Sequence, residues 1–227
     1  MNRAVEHIEI LFRDRSLAVI NKPAGVSLLA DRSGEACLWD LLPDVLGAKP
    51  HLVHRLDKPT SGVLLIALTE GCQKQLTRLF QQRRIGKYYL AWVAGHCPER
   101  GRIDLPLKKG RKSRYRVAGN RADIALLDDA YSLLSADSDG KPSETRFRTL
   151  QRTTDCSLIV LKPLTGRTHQ LRVHLSWIGY PILGDRLYGK PDADAQQAPR
   201  LQLHAHRVAI PGKGSYAARH TTNWITG

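Results

Sequence analysis

Apolar and polar positions alternate in short runs along this chain, and most of the runs have the two-residue period of strands rather than the 3.6-residue period of helices. Ile8-Glu9-Ile10-Leu11-Phe12 and Leu17-Ala18-Val19-Ile20, separated by a polar turn, read as two connected strands. Asn21-Lys22-Pro23-Ala24-Gly25 then breaks the second. Residues 35–42 suit a short helix that closes ahead of Pro43, because a residue preceding proline is pushed out of the helical region. The stretch 62–68 is almost continuously apolar, the mark of a central strand buried on both faces.

Thr69 is placed to cap a helix in which Cys72, Leu76, Leu79 and Phe80 share one face, leaving Lys74, Arg78 and Gln82 outward. In the β-rich run 87–95, alternation puts Tyr89, Ala91 and Val93 on one face and Tyr88 on the other. Further strands are expected at 103–107, 144–150, 157–161 and 201–210, with a helix at 168–178 followed by Gly179. Two segments fall outside the pattern. Residues 108–121 hold Lys108, Lys109, Arg111, Lys112, Arg114, Arg116 and Arg121 with no acid, which predicts a self-repelling mobile loop unless a polyanion such as an RNA backbone orders it, with a solubilising hairpin as the alternative; residues 192–199 read as an Ala/Gln/Asp-rich loop.

At 227 residues the chain is long enough for a sizeable core, and no internal repeat or compositional break calls for a second domain. A single domain over 1–227, with its core at about 8–210, is the expectation. The 42% apolar and 25% charged composition is ordinary, but 35 Lys and Arg against 21 Asp and Glu leave a net charge of +14. That surplus attracts polyanions, nucleic acid first among them, although a basic surface also serves solubility. The N-terminus has no signal-like apolar core and no stretch has membrane-spanning length, so a cytoplasmic protein is expected. Cys37, Cys72, Cys97 and Cys156 are scattered, and the histidines show no ligand spacing, so the cysteines are read as reduced and no metal is expected.

The candidate chemistry sits in two blocks. His54-Arg55-Leu56-Asp57-Lys58-Pro59-Thr60-Ser61-Gly62 runs into the central strand, placing the Asp57 carboxylate among cations on a turn that a rigid sheet can aim. The second block is Thr165-Gly166-Arg167-Thr168-His169-Gln170-Leu171-Arg172-Val173-His174, followed by Pro181-Ile182-Leu183-Gly184-Asp185. On a helix, His169 and Arg172 are i, i+3 neighbours. An arginine so placed either faces solvent or serves a site.

Together with Lys22-Pro23-Ala24-Gly25 and Lys87-Tyr88-Tyr89-Leu90-Ala91, these blocks resemble the RluA-like family of pseudouridine synthases in order and spacing, from about residue 10 to 210. A protein-kinase loop also contains H-R-x-D, but the chain lacks a kinase's glycine-rich loop, D-F-G and A-P-E. The resemblance implies an α+β fold, a mixed and mainly antiparallel sheet flanked by helices and loops around a central RNA-binding cleft. It implies isomerisation of a uridine in a ribosomal or transfer RNA stem-loop by a monomeric enzyme that consumes no cofactor. Asp57 falls on the family's catalytic aspartate, Tyr89 on its active-site tyrosine, Arg172 on the arginine paired with the aspartate, and Arg55 on an arginine that helps hold the extruded base in some members. Asp57 would either attack C1′ or remove a proton from C2′. The uridine must first leave its stack, at a cost of a few kcal/mol.

Three departures accompany the resemblance. The pattern begins too early to leave room for the N-terminal S4-type domain of many members. The segment after Lys22-Pro23-Ala24-Gly25 lacks the family's frequent histidine, and the ending 215–227 is more polar than the family's tail. A competing reading is a non-catalytic RNA-binding or RNA-remodelling protein on the same scaffold.

Overall fold

The computed structural model of the protein describes residues 8–31, 34–111, 114–189 and 198–220. Most of the expected loop at 192–199, Lys112, and the ending after 220 lie outside the described residues. In chain order the elements are β1 (Glu9–Arg13), β2 (Leu17–Lys22), α1 (Leu38–Leu46), β3 (His51–Leu52), β4 (Ser61–Ala67), α2 (Glu70–Gln81), β5 (Gly86–Ala94), β6 (Arg100–Asp104), β7 (Leu107–Lys109), β8 (Tyr115–Val117), β9 (Ile124–Leu127), β10 (Ala130–Leu133), β11 (Glu144–Arg152), β12 (Cys156–Pro163), α3 (Gln170–Trp177), β13 (Leu203–Ile210) and β14 (Gly214–Ala217). The fold is α+β with mixed, mainly antiparallel strand pairing. Two compact units can be told apart: one joins the chain up to Lys87 with the segment beginning at His204, and the other is Tyr88–Leu203.

In the first unit β4 is the centre. All seven of its residues are buried, as its unbroken apolar run requires. β2 pairs with it antiparallel from Leu17↔Ala67 to Lys22↔Gly62, β3 pairs with its end, and β13 pairs parallel with its start. α2 packs on this sheet. Thr69 Oγ1 accepts from Cys72 N at 3.2 Å, satisfying one of the donors a helix start leaves orphaned. Cys72, Leu76 and Leu79 then join Leu17, Val19, Val63 and Leu65 in one core cluster.

The helix expected at 35–42 is displaced. It begins at Leu38, runs through Pro43, and closes after Leu46 at Gly47, whose φ is +53°. Leu38, Leu42 and Leu46 make an i, i+4, i+8 stripe that is fully buried. Burying each leucine contributes about 1.5–3 kcal/mol. An interior proline costs about 3 kcal/mol. The stripe therefore outweighs the break.

The second unit carries the strand order β5-β12-β11-β6-β10-β9, antiparallel except for β6 and β10. α3 covers one face, where Leu171, Val173 and Leu175 pack with Ala91, Val93, Ile103, Phe147, Ile159 and Leu161. Tyr89 is partly buried against the same cluster, as the alternation predicts. A smaller cluster of Trp92, Cys156, Leu183 and Ala198 forms separately.

The basic segment is not the loop its charge predicts. It contains the hairpin β7-β8, and Lys108 Nζ meets Asp137 Oδ2 at 2.6 Å and Asp139 Oδ1 at 3.0 Å. The neutralising acids come from a different part of the chain, which local composition does not report. All four cysteines are buried free thiols, and burial pushes the Cys97 thiol up to about 12, which keeps it protonated and unreactive. No helix among the described residues is long and apolar enough to cross a membrane.

Candidate active site

Asp57 opens a turn closed by Thr60 N donating to Asp57 O at 3.0 Å. The turn is laced to the loop after β2. Gly25 N donates to Lys58 O at 2.9 Å, and the Lys58 ammonium reaches Asp31 and Glu35 at 3.2 and 2.8 Å. Beneath both lies Lys22, fully buried, whose Nζ donates to Pro23 O at 2.7 Å, Val26 O at 2.8 Å and Lys58 O at 3.2 Å. Three ammonium hydrogens thus find three carbonyls. Burial pulls the Lys22 pKa down to about 7, and the charge of Asp57 opposes that fall. Lys22 thus ties the loop after β2 to the turn that carries the half-buried Asp57.

The strand side of the turn is equally constrained. His54 Nε2 accepts from Leu65 N at 2.9 Å while its ring stacks on Phe80, with centroids 4.8 Å apart. Burial, with the nearby Lys87 charge, pushes its pKa down to about 3. His54 is a neutral brace, not a proton carrier at physiological pH. Ser61 Oγ meets His204 Nδ1 at 2.9 Å, and His204 Nε2 reaches Ala218 O at 3.1 Å. A carbonyl only accepts, so the Nε2 proton points to Ala218 and Ser61 donates to Nδ1. Gly62, at φ +112°, lies so close to β13 that a Cβ would stand 2.3 Å from Ala205 O. No other residue fits there. Arg55 projects into solvent next to the buried Leu56.

In the second unit, α3 positions Arg172. Its side chain is 4% exposed and forms a bidentate pair with Asp185, Nε to Oδ2 at 2.8 Å and Nη2 to Oδ1 at 2.7 Å. The solvated-face reading of Arg172 is excluded. The guanidinium also lies 5.1 Å from the centre of the Tyr188 ring, a cation–π arrangement. Asp185 Oδ1 further accepts from Leu187 N and Tyr188 N at 3.0 and 3.2 Å, which orients Tyr188. The Tyr188 hydroxyl then bonds His169 Nδ1 at 2.8 Å and accepts from Tyr115 N at 2.9 Å. His169 and Arg172 meet on Tyr188, consistent with their i, i+3 spacing, although His169 sits just ahead of the helix at φ +56°. Gln170 braces the preceding turn by accepting from Thr165 Oγ1 and Arg167 N and donating to Glu144 O and Thr145 Oγ1.

The model of the RNA pseudouridylate synthase family matches residues 16–177. The chain belongs to this family. It is 38% identical over 211 residues to the dual-specificity RNA pseudouridine synthase RluA of Salmonella typhimurium, covering 88% of this chain and 85% of that protein. The ribosomal large subunit pseudouridine synthase C of Vibrio cholerae is 33% identical over 214 residues, covering 90% of this chain and 61% of that one. Among solved structures, the human RNA pseudouridylate synthase domain containing 4 aligns at a TM-score of 0.78 and 28% identity, covering 94% of this chain and 89% of that one. The corresponding human domain containing 1 gives 0.79 and 28%, covering 97% and 86%. This synthase is an RNA-modifying isomerase of the RluA-like group.

Of the four site residues read from the synthase's sequence, Asp57 and Arg55 lie in the first unit and Tyr89 and Arg172 in the second. The residues that hold them were less visible. A lysine at the end of an apolar strand reads as a surface residue, so Lys22 drew no attention of its own. Asp185 stood in the second block, but nothing local marked it as the partner of Arg172.

Proposed function

We propose that this synthase isomerises a uridine in a ribosomal or transfer RNA stem-loop, with Asp57 as its catalytic carboxylate. The observation that carries the reading is Asp57 itself, retained in the family's H-R-x-D block and set on a turn pinned by buried Lys22. Asp57 either attacks C1′ or removes the C2′ proton. The N1–C1′ bond breaks, the uracil turns, and a C5–C1′ bond forms as the C5 hydrogen leaves and N1 gains a proton. Tyr89 offers a ring face to the flipped base, Arg172 a preset guanidinium, and Arg55 an exposed cation to hold the extruded conformation.

The ribosomal reading draws on the Vibrio cholerae relative's name, and the word dual-specificity in the RluA names favours more than one RNA target. The reading includes a monomeric cytoplasmic enzyme that needs no cofactor. RNA tritiated at uracil C5 tests it: tritium is expected to pass to water with time. No release from any cellular RNA would overturn the proposal.

A further inference from the structure

Alternation gives the second unit's sheet a second working face. Tyr89, Ile103, Phe147 and Leu161 point into the core that α3 covers. Their neighbours Tyr88, Arg102, Arg146, Arg148 and Lys162 therefore point the other way. Strand register stacks these cations against one another. Lys162 lies opposite Arg146, Arg146 opposite Arg102, and Arg148 opposite Arg100.

Like charges directly opposite on a sheet destabilise it. Acids relieve this only in part. Glu144 meets Arg146 at 3.6 Å and Asp129 meets Arg100 at 3.6 Å, yet these two arginine side chains stay 61% and 77% exposed. Arg102, Arg148 and Lys162 have no ion pair among the described residues, and the Lys162 ammonium instead sits 5.6 Å from the centre of the Tyr88 ring. A patch that works against its own sheet is suited to a polyanion. Cations about 5 Å apart across strands and about 7 Å apart along them match the scale of successive phosphates. An acidic protein partner would want a central apolar anchor, whereas the partly exposed apolar side chains Leu90, Leu158 and Val160 of this face lie on β5 and β12 beside the arginines of β6 and β11, and Leu90 and Leu158 already pack on the Trp92 cluster.

We propose that this face binds the sugar-phosphate backbone of the substrate RNA at a segment separate from the modified uridine. The inference rests on the reading of the chain as an RNA-acting enzyme and adds a second contact. Tyr89 and Arg172 belong to the opposite side of this sheet, so one RNA engages both only if it extends beyond a single short hairpin. The patch thus selects for large folded RNA and is blind to its sequence.

The test is the triple variant Arg102→Gln/Arg146→Gln/Arg148→Gln, measured against a long folded RNA transcript and against a short hairpin over a range of salt. On the long RNA the slope of log affinity against log salt is expected to fall by about 2, from about 0.7–0.9 per lost phosphate contact. Hairpin binding should not change, and the melting temperature should hold or rise as repulsion is relieved. Arg148→Glu alone, on an exposed side chain, should weaken long-RNA binding in the same direction if the triple variant folds poorly. An unchanged salt slope on long RNA would overturn the proposal, as would an equal loss on the hairpin or a loss of binding to polyglutamate alone. Wild-type protein that releases no tritium, alongside a variant with a reduced slope, would sink the catalytic reading and leave the surface standing.

Discussion

The Arg172–Asp185 pair permits a quantitative test that separates holding the fold from doing chemistry. Both side chains are nearly solvent-free, at 4% and 1% exposure, and the two contacts are 2.7 and 2.8 Å. Removing one partner of such a pair strands the other charge in the interior, at about 3–5 kcal/mol. Against a total stability of about 5–15 kcal/mol, either change takes a large share. Arg172→Met leaves a buried carboxylate still accepting from Leu187 N and Tyr188 N; Asp185→Asn keeps those two backbone contacts but takes away the charge that the Arg172 fork grips. The double variant removes both charges at once, so it should lose far less than the sum of the singles, with a coupling of at least about 2 kcal/mol. Urea unfolding at neutral pH gives the stabilities, and tritium release gives the activity. Stability should return in the double variant while turnover stays low, because the proposed role of Arg172 at the flipped base goes beyond neutralising Asp185. Additive singles, or a double variant that turns over normally, would refute the reasoning.

Asp57→Asn is expected to fold and bind RNA without turnover; a variant that still releases tritium would remove Asp57 from the chemistry. Gly62→Ala should cost about 2–5 kcal/mol in urea unfolding, combining a positive-φ penalty with displaced β13 backbone, whereas Gly47→Ala, with open space around its Cβ, should cost only about 1–2 kcal/mol. Similar losses at the two glycines would argue against the close approach. Acid should destabilise the protein well before its carboxylates titrate. His54 and His174 are held neutral in the fold, with pKa values pushed down to about 3 and about 4 by burial. The unfolded chain binds these protons more readily, so their contribution is complete above about pH 6.5 and drains as pH falls toward the folded values, by about 2 kcal/mol for each histidine between pH 7 and 5. Equal urea midpoints at pH 7 and 5 would contradict this.

Where local pattern and tertiary packing agree, the elements were legible. β4 and α2 follow directly from an apolar run and a capped 3.6-residue stripe. α1 shifted because the buried stripe Leu38, Leu42 and Leu46 extends past the proline that should have ended it. The β9-β10 hairpin escaped notice because its turn is Asp128-Asp129, both at positive φ without a glycine, and because Leu126 and Leu127 are more than half exposed on consecutive positions. Asp57 and Arg172 were visible as motif residues. What fixes them was not, since no local pattern marks the contact of Lys22 with Lys58 O or the pairing of Arg172 with Asp185, although Lys22 and Asp185 both stand in the blocks that carry the resemblance.

The parallel pairing of β13 with the start of β4 has a consequence for how the protein is made. Ser61 meets His204, 143 positions further along the chain, so the turn bearing Asp57 lacks its backing until that later strand has been synthesised. At ribosomal rates of about 5–20 residues per second, the delay is about 7–30 s. During that interval the contiguous stretch Tyr88–Leu203 is being synthesised, while the earlier segment waits for its last strand. A chain interrupted between Arg172 and His204 would therefore carry every proposed site residue and still leave Asp57 on an unfinished floor.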